Sequence, residues 1–142
     1  MVSSVTQTPC YILDTSSLIE MERSTRLYHL PESPGKWLVV PSRVGKQLNS
    51  QGAPKKTRNW LNNGKLAEFS GDSEHVLFMN IRRREKSLED PDVQGIVIAY
   101  HRRGTYVVEN GSAARVARGL GLRTINAKEF LREVTPPLPG FG

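Results

Sequence analysis

The sequence predicts an α/β layer fold with a mostly parallel central sheet. Short apolar segments typical of buried strands alternate with helical segments along almost the whole chain. The first of these segments, at 11–13, is apolar throughout, as expected for a strand that helices cover on both faces. At 142 residues the chain is long enough to form one domain with its own core.

The elements of the first half are predicted by apolar runs and by capping residues. Tyr11 to Leu13 predicts the first strand, and Thr15 and Ser16 are suited to begin the helix that follows it. The turn-rich segment 31–36 predicts a loop. The next elements are an apolar run at 37–41, a helix capped by Ser42, a helix over 55–61 and a short strand or edge segment at 65–70.

The second half alternates in the same way. Apolar positions at 76, 77, 78 and 81 predict a helix over 73–88. A second helix is predicted over 93–103, with Ile96, Val97, Ala99 and Tyr100 facing inward, and Gly104 ends it. The remaining elements are a β-branched strand at 105–109, a small-residue helix over 113–120, a strand at 122–125 and a helix begun by Asn126.

The ends of the chain and its composition predict the setting of the protein. We expect residues 1–9 to be an extension, 10–134 the folded domain and 135–142 a mobile tail. No apolar run is long enough for a membrane span, and no secretory signal is evident, so no membrane partner is expected. The single Cys10 suits a reducing, cytoplasmic environment, and the three separated histidines do not indicate a zinc site.

The basic charge of the chain is concentrated in its middle third. The net charge is +6, and the segment 41–65 contains cations without a single carboxylate. Two more basic clusters follow, RRREK at 82–86 and HRR at 101–103. Two interpretations stay open, a solvated helical surface or a face that binds nucleic-acid phosphates. On the second interpretation the candidate phosphate-binding residues are Arg43, Lys46, Lys55, Lys56 and Arg58.

Three carboxylates stand at junctions between predicted elements. Asp14 follows the first strand, Asp92 opens a helix, and Glu109 ends the strand after Gly104. Functional groups of parallel sheets lie at the carboxyl ends of strands, and clustered carboxylates suit Mg²⁺ or Mn²⁺. The alternative for Asp14 and Asp92 is an ordinary helix cap, and for Glu109 an exposed strand end. Trp60 is interpreted as packing its helix rather than stacking a base.

Three segments resemble PIN-domain ribonucleases in order and spacing, across roughly residues 10–131. They are YILDTSSLIEM near the N-terminus, DVQGIVIAY at 92–100 and TYVVENGSAARVARGLGLRTI near the C-terminus. The resemblance implies a three-layer α/β/α sandwich, a Mg²⁺ or Mn²⁺ ion, and hydrolysis of RNA phosphodiesters. The resemblance also includes toxins of the VapC type, which pair with an antitoxin protein. It implies that two copies of the chain can form a homodimer. It implies that Asp14, Asp92 and Glu109 hold the metal, and that Ser16 orients a ligand or a water.

The sequence departs from the family pattern at two acidic positions. Gln47 stands where the family usually has a glutamate, and Asn110 follows Glu109 where an aspartate is expected. Gln47 is then a neutral ligand or spacer, and Asn110 completes the metal shell. Fewer negative charges weaken the binding of a divalent ion. Two functions therefore remain open, a metal-dependent ribonuclease and a catalytically degenerate nucleic-acid-binding module.

Overall fold

The computed structural model describes residues 10–24, 26, 30, 33–35 and 37–134. These residues form a four-stranded parallel sheet in the order β2-β1-β3-β4. The strands are β1 Tyr11–Leu13, β2 Leu38–Val39, β3 Thr105–Val107 and β4 Thr124–Ile125. The helices are α1 Thr15–Arg23, α2 Ser42–Ser50, α3 Lys55–Asn62, α4 Asp72–Arg84, α5 Asp90–Arg102, α6 Ser112–Gly119 and α7 Ala127–Val134. The predicted α/β class and the parallel sheet are confirmed.

Alternation along the strands divides the core into two halves, one on each face of the sheet. Tyr11 and Leu13 pack with α1, α2, α3 and α7, whereas Ile12 packs with α4, α5 and α6. Tyr106 of β3 belongs to the second half, beside Ile12 in the sheet register. Helices therefore cover both faces, which confirms the three-layer sandwich.

The edge segment predicted at 65–70 extends the sheet beyond β2. Ala67 forms a parallel bridge with Pro41, in which the Ala67 amide donates to the carbonyl of Val40 at 2.8 Å. The amide of Ser42 in turn donates to the carbonyl of Ala67 at 2.9 Å. This bridge fixes the exit of β2 and hence the position at which α2 begins.

Two helices begin differently from the prediction. Ser42 is the first residue of α2 and not its cap, because Pro41 precedes it and offers no side-chain hydrogen bond. The helix α5 begins at Asp90 with Glu89 as its cap, so Asp92 is the third residue of its first turn and forms a capping box with Glu89. The predicted cap of α7 is confirmed, since the Asn126 side chain accepts from the Glu129 amide at 2.8 Å.

Three details of the helices correct the sequence analysis. Helix α4 ends at Arg84 and not at residue 88, and its Val76 is exposed. Tyr100 was expected to face inward but is 47% exposed, and Ile98 is buried in its place. The sheet and the three helices α2, α4 and α6 enclose most of α5, so its buried face is wider than one helical stripe. Trp60 is buried, as predicted for a residue that packs its helix.

Some predictions fall on residues outside the described part of the chain. The extension at 1–9 and the tail at 135–142 lie there, so both remain predictions. Of the predicted loop at 31–36, the described part is 33–35. Among the described helices, none combines the length and the apolar character that a membrane crossing requires.

Candidate functional site

The site lies at the edge of the sheet where the strands end, here called the carboxyl edge. Asp14 follows β1 directly, and its backbone amide donates to the carbonyl of Val107 in β3 at 2.9 Å. Because strand residues alternate, Asp14 faces the same side of the sheet as Ile12 and Tyr106. Asp14 is only 3% exposed, so its carboxyl group is buried at the edge of the hydrophobic core.

Three donors hold the Asp14 carboxylate in one orientation. Its Oδ2 accepts from the Ser16 hydroxyl at 2.9 Å and from the Ser16 amide at 3.3 Å. Its Oδ1 accepts from the buried hydroxyl of Tyr106 at 3.1 Å. Burial raises the pKa of Asp14, while the bonds from Ser16 and Tyr106 oppose the rise. Asp14 therefore acts as the cap of α1 and as an oriented carboxylate at once.

Tyr106 reaches Asp14 because α5 has no side chain at the point of contact. A Cβ at Gly95 would lie 3.0 Å from Cε1 of Tyr106 and 3.4 Å from its hydroxyl oxygen. The same hydroxyl lies 3.4 Å from the carbonyl oxygen of Asp92. Burial and the charge of Asp14 raise the pKa of Tyr106 well above its ordinary value, so the phenol stays a donor. Tyr106 thereby links Asp14 to the first turn of α5.

Asp92 is the second carboxylate of the site. Its Oδ2 accepts from the Glu89 amide at 3.0 Å, which fixes the start of α5. Burial and the neighbouring Asp14 carboxylate raise the pKa of Asp92 to about 6. Two carboxylates are thus held close enough to repel each other. Within the described residues, no third Asp, Glu, His or Cys joins them to complete a group of three.

Glu109 approaches the site with its backbone and turns its side chain away. Its amide donates to the Ser16 hydroxyl at 3.1 Å. Its Oε2 accepts from the Ala127 amide at 2.8 Å and so holds the start of α7. Asn110 is exposed in the turn that follows. A metal-binding role for either residue stays a prediction.

Gln47 reaches the site from α2. Its Oε1 accepts from the hydroxyl of Thr15 at 2.6 Å, and Thr15 is the neighbour of Asp14 in the chain. The residue that stands in place of the expected glutamate is therefore at the carboxyl edge. It brings an amide there and no negative charge.

A model of the PIN-domain family matches residues 10–127, which is most of the chain. The chain belongs to the PIN-domain family. Members are generally nucleases that typically use divalent metal ions, and this relation suggests a nucleic-acid substrate. No curated protein matches the chain.

The fold of this PIN domain is shared with a known structure. PAE2754 from Pyrobaculum aerophilum, a protein of known crystal structure, is similar with a TM-score of 0.55 and 14% sequence identity. The match covers 88% of this chain and 96% of that one. At this identity the similarity shows the fold alone.

The predicted phosphate-binding residues of the PIN domain do not lie together. Arg43 and Lys46 are in the first half of α2, which begins at the carboxyl edge. Arg43 is already paired with Asp90 at 3.4 Å and lies over the ring of Phe78 at 4.6 Å. Lys46 is exposed beside Gln47.

The other three predicted residues, Lys55, Lys56 and Arg58, belong to α3. The Thr57 hydroxyl of this helix donates to Glu22, in the last turn of α1. Seven residues of α1 separate Glu22 from Thr15, a rise of about 10 Å. The three cations are thus separated from Asp14 by roughly the length of α1.

A different basic cluster lies near the carboxylates. Arg82, at the end of α4, pairs with Asp90 at 2.8 Å, two residues before Asp92. The cluster RRREK at 82–86 therefore adjoins the first turn of α5, with Arg83, Arg84 and Lys86 exposed. The sequence analysis identified this cluster but did not place it at the site.

The sequence analysis also missed two polar residues that position the site. Tyr106 was included only as part of a strand, and Gln94 only as part of a helix. Gln94 is buried, its Oε1 accepts from the Arg43 amide at 2.8 Å, and its Nε2 donates to the Ser42 hydroxyl at 3.0 Å. It supplies the cap that Pro41 cannot give to α2. A polar residue within an otherwise apolar helix, as at Gln94, was the available signal.

Asp92 makes the stability of the domain depend on pH. Because its pKa in the folded protein is raised to about 6, the folded state binds this proton more tightly than the unfolded chain. The resulting stability is present below the unfolded pKa of about 4 and is lost as the pH rises through about 6. Allowing for its partial exposure, we expect a loss of about 1–2 kcal/mol.

Urea unfolding at about pH 4.5 and pH 7 without divalent ions measures this effect. Asp92→Asn is the matched variant, since it keeps the shape and cannot titrate. It should be less sensitive to pH than the wild type and more stable at pH 7. Equal pH dependence in the two proteins would contradict the raised pKa of Asp92.

Proposed function

We propose that this PIN domain is a metal-dependent endoribonuclease that hydrolyses phosphodiester bonds of RNA. One observation carries the proposal. Asp14 and Asp92 are neighbours at the carboxyl edge, where burial and, after it, repulsion from the Asp14 carboxylate raise the pKa of Asp92 to about 6. A divalent cation between them would remove that repulsion. Such an arrangement lowers the stability of the unloaded protein and is typical of a functional site.

The residues present fit Mg²⁺ or Mn²⁺. These ions prefer oxygen ligands, and Mg²⁺ is commonly bound by one or two carboxylates together with substrate phosphates and water. Asp14 and Asp92 would supply the two carboxylates. Glu109 would add a carboxylate oxygen only after its side chain leaves the Ala127 amide, and Asn110 would add an amide oxygen. Bound there, the ion would lower the pKa of an attacking water and neutralise charge on the phosphate.

The chain itself fixes the geometry in which this chemistry occurs. Ser16 and Tyr106 hold both oxygens of Asp14, so little reorganisation is needed when an ion binds. Gln47, held by Thr15, places a polar amide where it meets a phosphate oxygen or the metal shell. Lys46 and the exposed cations at the end of α4 would bind the RNA backbone, and attack by water would leave a 5′-phosphate.

The partners and setting of the enzyme are part of the same proposal. Its substrate is RNA, single-stranded or structured, because the exposed cations suit a polyanionic backbone. The protein partners in this proposal are an antitoxin protein and a second copy of the chain, both implied only by the resemblance to toxins of the VapC type. A single cysteine, half-buried with its pKa raised mainly by burial, is consistent with a reducing cytoplasm.

A specific observation favours a second candidate, an RNA-binding module without catalysis. Gln47 and Asn110 are neutral, and the side chain of Glu109 is engaged by α7. Two carboxylates then remain at the site, fewer than the family pattern provides. If the site binds metal too weakly for catalysis, the function of the domain would be RNA binding by Lys46 and the exposed cations at the end of α4.

Cleavage of an end-labelled single-stranded RNA in the presence of Mn²⁺ tests the proposal. We expect fragments that carry a 5′-phosphate and whose formation stops when EDTA is added. Binding of the same RNA is measured in parallel by fluorescence anisotropy. RNA that is bound but remains intact at millimolar Mn²⁺ would replace the enzyme with the binding module.

A further inference from the structure

Two clefts flank the end of α5 at the edge where the strands begin, opposite Asp14. The first has a volume of about 680 Å³ and is lined by Tyr100, His101, Arg103 and Arg123 over the backbone of 104–105 and 120–122. The second, of about 550 Å³, is lined by Arg102 and Lys65 together with the segment 66–69. The cluster HRR at 101–103 thus divides its side chains between two adjoining clefts.

The electrostatics of these clefts favour an anion. In the part of the chain that the structure describes, no carboxylate lines the first cleft. Among the described residues that line the second cleft, Glu68 is the only carboxylate. Two of the basic side chains already have partners. Arg123 bonds Glu133 and Thr105, and His101 contacts the carbonyl of Val97. Arg102 and Arg103 form no ion pair with a described carboxylate, so their charges are available to a ligand.

The backbone at Arg103 is held in a conformation that normally favours glycine. Its φ of 53° and ψ of 39° are left-handed, and it is the single non-glycine residue with positive φ among those described. Basic residues inside the last turn, such as Arg102, complement the negative end of the helix dipole. Complementing the helix dipole does not require an arginine at position 103, where glycine would suit the left-handed backbone better. The strain indicates that this side chain serves a purpose at the cleft.

An aromatic ring adjoins the cations. Tyr100 is 47% exposed, on a helix whose aliphatic side chains from 93 to 99 are buried. Its ring lies 5.6 Å from that of His101, at the mouth of the first cleft. Exposed aromatic rings beside arginines bind single-stranded nucleic acid by stacking on a base while the cations hold phosphates.

We propose that the clefts at the end of α5 are a second RNA-binding site, with Tyr100 stacking a base and Arg102 and Arg103 binding phosphates. The proposal rests on the proposed function only in taking RNA as the polyanion. Ten residues of α5 separate Asp92 from Arg102, a rise of about 15 Å. A single strand bound at both sites would have to span at least this distance.

Anisotropy of a labelled single-stranded RNA of about 20 nucleotides tests the site in EDTA, where no cleavage occurs. Arg103→Gly and Tyr100→Ala are the variants, and Arg132→Gln is the control, since it removes an equal charge from an exposed position outside both clefts. We expect Arg103→Gly to bind about threefold or more weakly, with the slope of log K against log salt reduced by about one. Tyr100→Ala should weaken binding with the slope unchanged.

The folded state of Arg103→Gly is an internal check. Glycine accepts the left-handed backbone, so its melting temperature should not fall, and weaker binding cannot then be attributed to unfolding. Binding of Arg103→Gly equal to that of Arg132→Gln in affinity and salt slope would overturn the proposal. Because binding is measured without metal, this result is independent of whether the protein cleaves RNA.

Discussion

Asp14→Asn should reduce Mn²⁺-dependent RNA cleavage by about a hundredfold or more, and Asp92→Asn should do the same. Asparagine preserves the shape of either side chain but removes half of the negative charge at the carboxyl edge. Loss of partners that merely orient ligands costs metal sites about 10–100-fold, so removal of a ligand should cost at least as much. The measurement is the initial rate of fragment formation from labelled RNA across a range of Mn²⁺ concentrations.

Asp72→Asn is the matched control for these variants. Asp72 is an exposed carboxylate in the first turn of α4, away from the carboxyl edge, and its loss should leave the rate within about twofold. Calorimetric titration should show weaker Mn²⁺ binding in Asp14→Asn and Asp92→Asn, and unchanged Mn²⁺ binding in Asp72→Asn. Cleavage that survives both substitutions would come from a contaminating ribonuclease or another site, and the proposed function would be wrong.

Gln47→Glu should strengthen Mn²⁺ binding by about tenfold or more and increase cleavage at low Mn²⁺. The Oε1 of Gln47 already lies 2.6 Å from the Thr15 hydroxyl, beside Asp14, so a glutamate would add a third carboxylate without a new rotamer. Hard divalent cations bind more tightly as the number of carboxylates rises. Without metal the added charge repels Asp14 and Asp92, so the free energy of unfolding should fall.

Gln51→Glu makes the same charge change at the other end of α2, on an exposed residue. Thermal unfolding of both variants with and without Mn²⁺ separates the effect of a carboxylate at the proposed metal site from the effect of one added negative charge elsewhere on the protein. We expect a larger Mn²⁺-induced rise in melting temperature for Gln47→Glu than for Gln51→Glu or the wild type. An equal rise in all three would mean that position 47 does not approach the ion.

The sequence predicted the fold and the position of Asp14 because both depend on local patterns. An apolar strand, a carboxylate and a capped helix follow one another at 11–23, and the order of strands and helices defines the class. Asp14 and Asp92 were predicted to meet because each lies at a junction on the same edge of a parallel sheet. The structure holds them close enough for the Asp14 carboxylate to raise the pKa of Asp92, in addition to the effect of burial.

Residues that act across the sheet were beyond prediction from local pattern. Tyr106 reaches Asp14 only because Gly95 leaves room, and Gln94 caps a helix that lies 50 residues earlier in the chain. The side chain of Glu109 was expected at the site, but the start of α7 supplies a competing donor at Ala127. These contacts depend on three-dimensional register, which the sequence does not specify residue by residue.

Proximity in the sequence also misled the analysis of charge. The cations from 43 to 58 were treated as one phosphate-binding face. Because α2 runs away from the carboxyl edge and α3 packs against the end of α1, Lys55, Lys56 and Arg58 are separated from Arg43 and Lys46. The cluster at 82–86, farther along the chain, lies nearer to the carboxylates.

The hydrogen bond between Tyr106 and Asp14 joins residues that are 92 positions apart. The central strand β1 is made early in synthesis, whereas its neighbour β3 leaves the ribosome only after most of the domain has been translated. While the nascent chain is short, Oδ1 of Asp14 therefore lacks its partner Tyr106, and only the local bonds from Ser16 to Oδ2 can form. The full set of hydrogen bonds at the carboxyl edge therefore forms only after most of the domain has been synthesised.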